Sequence, residues 1–173
     1  MKNRIKFTTA ALVLLASSSS AFSQATASAT ASATIVTPIS ITKDVDMNFG
    51  NLAVSATTAG TAILTTAGAV SGTLGVTPTV TTPGPVAAAS FTVTGEDGYT
   101  YAITLPATAH TITSGANTMT VTAFVSNPAA TGSGTLAGGT QTLNVGATLN
   151  VAAGQPAGLY VSTTPFDVTV NYN

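Results

Sequence analysis

SFTVTGEDGYTYAITL, residues 90–105, is the stretch whose reading decides the fold. Phe91 and Val93 alternate with threonines up to Gly95, and Tyr99, Tyr101, Ile103 and Leu105 alternate back from Gly98. Successive side chains of a strand point to opposite faces, so a period of two gives each arm one apolar and one polar face. Asp97-Gly98 supplies the positive φ angles of a tight turn, and the expectation is a β-hairpin over Ser90–Leu105.

The same period recurs on both sides. Ile39 to Thr42, then Val45, Met47 and Phe49, read as strand up to Gly50-Asn51. Thr61–Thr66 is a further candidate, and 68–85 reads as strand fragments and loop. Met119, Val121 and Ala123 give a strand ending near Asn127-Pro128. A glycine-rich loop over 132–139 leads into Leu143, Val145, Ala147, Leu149 and Val151, and Phe166, Val168, Val170 and Tyr172 alternate to the end of the chain. No segment has apolar residues at helical spacing, and charged helix formers are almost absent. Short β segments between Gly, Pro, Asn and Asp are the pattern of an all-β sandwich or barrel, expected here as one domain over 38–173.

Ahead of that domain lies a stretch of different character. Ala25, Ala27, Ala29, Ala31, Ala33 and Ile35 occupy odd positions, and every even position between them is Thr or Ser. As a strand this would carry all its small apolar side chains on one face and all its hydroxyls on the other. The Ala face is thin, so such a strand needs a groove or an open sheet edge. The same composition also describes a flexible linker. Residues 24–37 are therefore an N-terminal extension and candidate donor strand. Residues 1–23 read as a signal peptide: Lys2, Arg4 and Lys6, then an apolar run from Phe7 to Ala16, then small residues ending at Ala21-Phe22-Ser23. The run is too short to span a bilayer, which takes about 20 residues.

From Gln24 onward Lys43 stands alone against Asp44, Asp46, Glu96, Asp97 and Asp167, a formal charge of −4. No basic patch is present to neutralise phosphates, so nucleic acid is not an expected partner. Low charge alone could signal disorder, but the wealth of Val, Ile and Thr argues for an ordered β domain. There is no cysteine, hence neither a disulfide nor a thiolate metal site.

Little in the chain suggests bond chemistry. His110 is the only histidine and has no carboxylate near it in sequence; G-x-S-x-G and phosphate-loop signatures are missing. Ca²⁺ takes six or more oxygens, and Asp44 with Asp46, or Glu96 with Asp97, supplies only part of such a set even with Asn48 and Asn51. No catalytic, cofactor-binding or metal-binding residue is nominated, and no enzymatic activity or cofactor is expected. Tyr99 and Tyr101 are candidates for an aromatic glycan-binding face, although alternate strand aromatics are more commonly half core and half surface.

Several short motifs together resemble a known group. Met47-Asn48-Phe49-Gly50, Ala157-Gly158-Leu159-Tyr160 and Val168-Thr169-Val170-Asn171-Tyr172 resemble strand ends of archaic chaperone–usher pilus subunits and spore-coat-U-like proteins. Phe49-Gly50, Phe91–Gly95, Leu143–Leu149 and Val168–Asn173 look like the secreted domain of unknown function 4402 family. The pilus resemblance implies an immunoglobulin-like antiparallel β-sandwich lacking its last strand, completed by the N-terminal extension of the next subunit. It also implies a fimbrial role at the surface of a Gram-negative cell after passage through the periplasm. Implied partners are copies of this chain or related subunits, a periplasmic chaperone and an outer-membrane usher. Ala25, Ala27, Ala29, Ala31, Ala33 and Ile35 would be the donor residues; Phe166, Val168, Val170 and Tyr172 would border the accepting groove. The alternatives are a self-contained secreted sandwich that binds a glycan or surface polymer through Tyr99 or Tyr101, and an ice- or mineral-binding face made of Thr rows.

Overall fold

A computed structural model describes residues 24–79 and 84–173. The expected signal peptide, 1–23, lies outside the described residues, as do four positions of the 68–85 stretch. The chain divides into two compact units, 1–34 and 35–173. Of the first, residues 24–34 are exposed and form no strand. The second is all β.

In its first half the strands are β1 (Ser40–Val45), β2 (Asn48–Phe49), β3 (Leu52–Val54), β4 (Gly60–Leu64), β5 (Val70–Leu74), β6 (Val76–Pro78) and β7 (Val86–Ala87). There follow β8 (Ala89–Thr94), β9 (Thr100–Thr104), β10 (His110–Ser114), β11 (Asn117–Asn127), β12 (Gly134–Thr135), β13 (Thr140–Val151), β14 (Val161–Ser162) and β15 (Thr169–Tyr172). All pairings are antiparallel.

The twelve-residue β13 is the spine. β11 pairs along one side of it. On its other side the first half pairs with β8 and the second half with β4, and β1, β5, β10 and β14 extend the sheet outward. Leu143 and Val145 face a core shared with Val93, Tyr101, Ile103, Leu136 and Val170, formed where the small sheet β12-β9-β15 packs over one end of the large one. Ala147, Leu149 and Val151 face a second core with Phe49, Ala62, Leu64, Val76 and Val121, covered by the ribbons β2-β7 and β3-β6. This antiparallel sandwich buries its β-branched and Leu residues on the inner face and wets Thr, Ser and Asn on the outer one. Each fully buried Val or Leu is worth about 1.5–3 kcal/mol of transfer free energy.

The 90–105 stretch is strand, turn and strand, but not a hairpin. β8 lies between β1 and β13 in the large sheet, whereas β9 lies between β12 and β15 in the small one. The turn is bonded elsewhere: Gly95 N–H donates to Gly139 O, Gly98 N–H to Leu136 O, and Gly138 N–H to Asp97 Oδ1. The chain therefore crosses between sheets, and Val93 meets Tyr101 and Ile103 across the core rather than across a ladder. Gly98 does adopt positive φ, 76°.

Three further expectations are corrected. The last strand spans Thr169–Tyr172 rather than starting at Phe166, because the Phe166 ring packs against Phe124 and the edge of His110 instead of continuing the ladder. The 132–139 loop contains β12; at Gly134 a Cβ would strike the Tyr101 ring, so only glycine lets the chain pair there with β9. Tyr101 is wholly buried, its hydroxyl donating to Gln141 Oε1 at 2.8 Å, which removes it as a glycan contact.

Candidate functional site

Strand edges are the reactive groups of an all-β protein, because each carries a row of backbone donors and acceptors that a further strand can satisfy. Among the described strands β1 pairs only with β8, and β15 only with β9. These two edge strands belong to different sheets and approach each other along one side of the sandwich. Ile41 of β1 with Ile39 just before it, and Val170 and Tyr172 of β15 with Val168 just before it, pack on the same core. All four residues expected to border a groove pack on this one core, Val170 and Tyr172 from within β15. The fourth, Phe166, does so outside the ladder, its ring centre 5.1 Å from that of Phe124.

One end of the seam is fastened at Thr37. Its N–H donates to Glu96 Oε2 at 2.8 Å, and its carbonyl accepts the Tyr172 hydroxyl at 2.7 Å. That hydroxyl in turn accepts the Glu96 N–H at 2.6 Å. Two extended chain ends are thereby held to the turn between β8 and β9. Gly95 makes the approach possible, since a Cβ there would overlap the Tyr172 hydroxyl. The Tyr172 ring also meets Tyr99 edge-on at 5.5 Å. The Thr37 backbone N–H stabilises the Glu96 carboxylate and holds its pKa below the ordinary value, outweighing slight desolvation and the neighbouring Asp97. Sequence reading does not find this anchor: its members are 59, 76 and 135 positions apart, and each is an ordinary turn or strand residue in its own setting.

Of the donor-strand candidates, Ala25, Ala27, Ala29, Ala31 and Ala33 are exposed and outside any strand, and Ile35 is 97% exposed. The remaining chemistry-bearing residues have local roles. His110 Nε2 lies 2.9 Å from Ser162 Oγ, tying β10 to β14. Lys43 pairs with Asp46 at 2.7 Å, and Asp44 accepts the Thr92 hydroxyl. Burial raises the pKa of the Tyr101 phenol. Among the described residues no three His, Asp or Glu side chains are grouped so as to hold a metal ion.

Residues 39–172 match the protein family described as Domain of unknown function (DUF4402). No curated protein and no solved structure matches the chain.

Proposed function

This chain belongs to the DUF4402 family, and we propose that its role is structural: a non-catalytic, exported, fimbria-type subunit assembled by donor-strand complementation. The observation that carries the reading is the pair of edge strands β1 and β15 meeting over one core, each with a ladder partner on one side only among the described strands. A strand added at such a seam gains main-chain hydrogen bonds from the edge, and the core side chains beneath it supply specificity for every second residue. The period-two extension 25–35 has the chemistry of such an added strand, with small apolar groups on one face and hydroxyls on the other. In this reading the sandwich is of the immunoglobulin-like type lacking its last strand. The occupant is the extension of a second copy, and export begins at a signal peptide ending near residue 23. Chaperone and usher would protect the open seam before assembly.

The reading is tested by running the exported protein, without boiling, on a denaturing gel beside a form starting at Pro38. A ladder of multimers that collapses on boiling and is lost in the shortened form is the expected result. A ladder that survives removal of the extension, or a monomer in both lanes, overturns it.

A further inference from the structure

A second feature lies away from the seam and does not depend on the fibre reading. At one end of the large sheet, where β4, β11 and the end of β13 meet the end of β5, is an open depression of about 510 Å³. We propose that it binds a segment of a neutral oligosaccharide, with Leu74 as the apolar contact.

Leu74 is the first reason. Its side chain is 86% exposed and its φ is +51°, one of two non-glycine residues with positive φ among those described. The other, Ala123, sits where the register of β11 shifts against β13, a bulge that explains its backbone. Leu74 ends β5 where the chain leaves the β4 ladder for that of β3, a corner that accounts for the backbone turn but not for a leucine at it. Its surroundings are built for glycine: a Cβ at Gly60, Gly72 or Gly75 would run into backbone carbonyl oxygens of Thr73, Val76 or Thr58. Amid these glycines stands a large apolar residue in a backbone region that favours Gly or Asn, with its side chain in solvent. Strain retained together with apolar exposure points to a contact made by that side chain.

The lining supplies the second reason. No residue of the depression is charged. Leu74 and Met119 are the largest of its apolar residues, and Thr61, Thr120, Asn150 and Gln155 are among its polar ones. The polar groups are held in place: Asn150 Nδ2 donates to Thr122 Oγ1 at 2.9 Å and Thr120 O at 3.2 Å, and Gln155 Nε2 donates to Tyr160 Oη at 2.8 Å and Thr118 O at 3.2 Å. These carbonyl acceptors fix the nitrogens, so both amides keep their oxygens for donors from outside. The Thr61 hydroxyl is set by Thr73, at 2.7 Å. An anion finds no cation in this lining, and a cation finds no carboxylate. A pyranose ring offers C–H faces for Leu74 and Met119 and hydroxyls for the two amide oxygens, which is the complement of what is present. The depression is open rather than enclosed, which suits one segment of a longer chain.

The test is titration of the ¹⁵N-labelled protein, followed by NMR, with neutral oligosaccharides of glucose, mannose and N-acetylglucosamine. Saturable shifts at Leu74, Thr118–Thr120, Asn150 and Gln155 with at least one of these sugars are expected. Leu74→Gly and Leu74→Asn, both suited to positive φ, should keep or raise the melting temperature and weaken binding about tenfold or more, the value of one buried leucine. No saturable shift with any of the sugars, shifts confined to other surfaces, undiminished binding by both variants, or the same residues responding only to a Ser/Thr-rich peptide would each overturn the proposal.

Discussion

Residues 25–35 and 143–151 share one pattern and meet opposite fates. Both place apolar side chains at every second position with small or polar residues between. The second stretch lies at the centre of β13, with Leu143 and Val145 wholly buried and neighbours along both sides. The first contributes to no strand and is exposed throughout. Alternation settles which face of a segment can be buried; side-chain mass and available partners settle whether it is. Ordering a residue's backbone costs about 1–2 kcal/mol, and a methyl group returns about 0.8 kcal/mol on burial, so an alanine face cannot fix a strand without a partner's backbone as well. In the proposed fibre, that shortfall is what the edge of a second subunit would make good.

The comparison makes its largest prediction on stability. Leu143→Ala, at the join of β13 with β8, should cost about 2–5 kcal/mol in urea unfolding, through lost burial and the cavity left behind. Ala29→Gly in the extension should change domain stability by less than about 0.5 kcal/mol. Comparable losses from both substitutions would mean that the two stretches are not different in kind.

Much of the β architecture was legible because β-branched residues and period-two runs are strong local signals. The spine β13, the turn at Gly98 and the all-β class follow from them directly. Partner choice was not legible. Phe91-Thr-Val93 and Tyr101-Ala-Ile103 alternate identically whether they face each other in one ladder or across two sheets, and the hydrogen bonds that decide come from residues 136–139. The tight hairpin of this region lies instead at β10–β11, around Gly115, where Ser114 pairs with Asn117. His110-Thr-Ile-Thr-Ser114 carries no apolar period-two signal, its side chains being mostly polar. The seam was legible only in part: the period puts Val168, Val170 and Tyr172 on the core beside β1, but it also extends the strand to Phe166, whose ring packs on that core and on Phe124 outside the ladder.

A smaller effect is expected where the exposed stretch gives way to the buried domain. Tyr172→Phe removes the hydroxyl that bridges Thr37 O and Glu96 N–H while leaving the ring against Tyr99. Two backbone groups lose a partner, and a cost of about 0.5–1.5 kcal/mol is expected. Hydrogen exchange at the Glu96 amide should quicken, with the amides of β13 unchanged. Unaltered exchange at Glu96 would show that the anchor does not hold this end of the domain.

The smallest effect is a pH dependence confined to the same junction. Glu96 has its carboxyl pKa lowered in the folded chain by the Thr37 N–H, from an ordinary value of 4.5. A depressed acid favours the folded state while it is ionised, so this contribution is complete above the ordinary value and is lost as pH falls through the lower folded one. In that acid window the Thr37 N–H loses its charged acceptor, and the attachment of the extension should loosen while Leu143 and its neighbours stay protected. The amide resonance of Thr37 is the reporter: it should titrate with a midpoint below that of an ordinary carboxylate. In Glu96→Gln, which keeps an oxygen acceptor but no titrating group, the response should be flat. A midpoint at the ordinary value, or a titration that persists in the Gln variant, would mean that another acid governs the junction. Asp97, adjacent in the turn, would then be the group to replace.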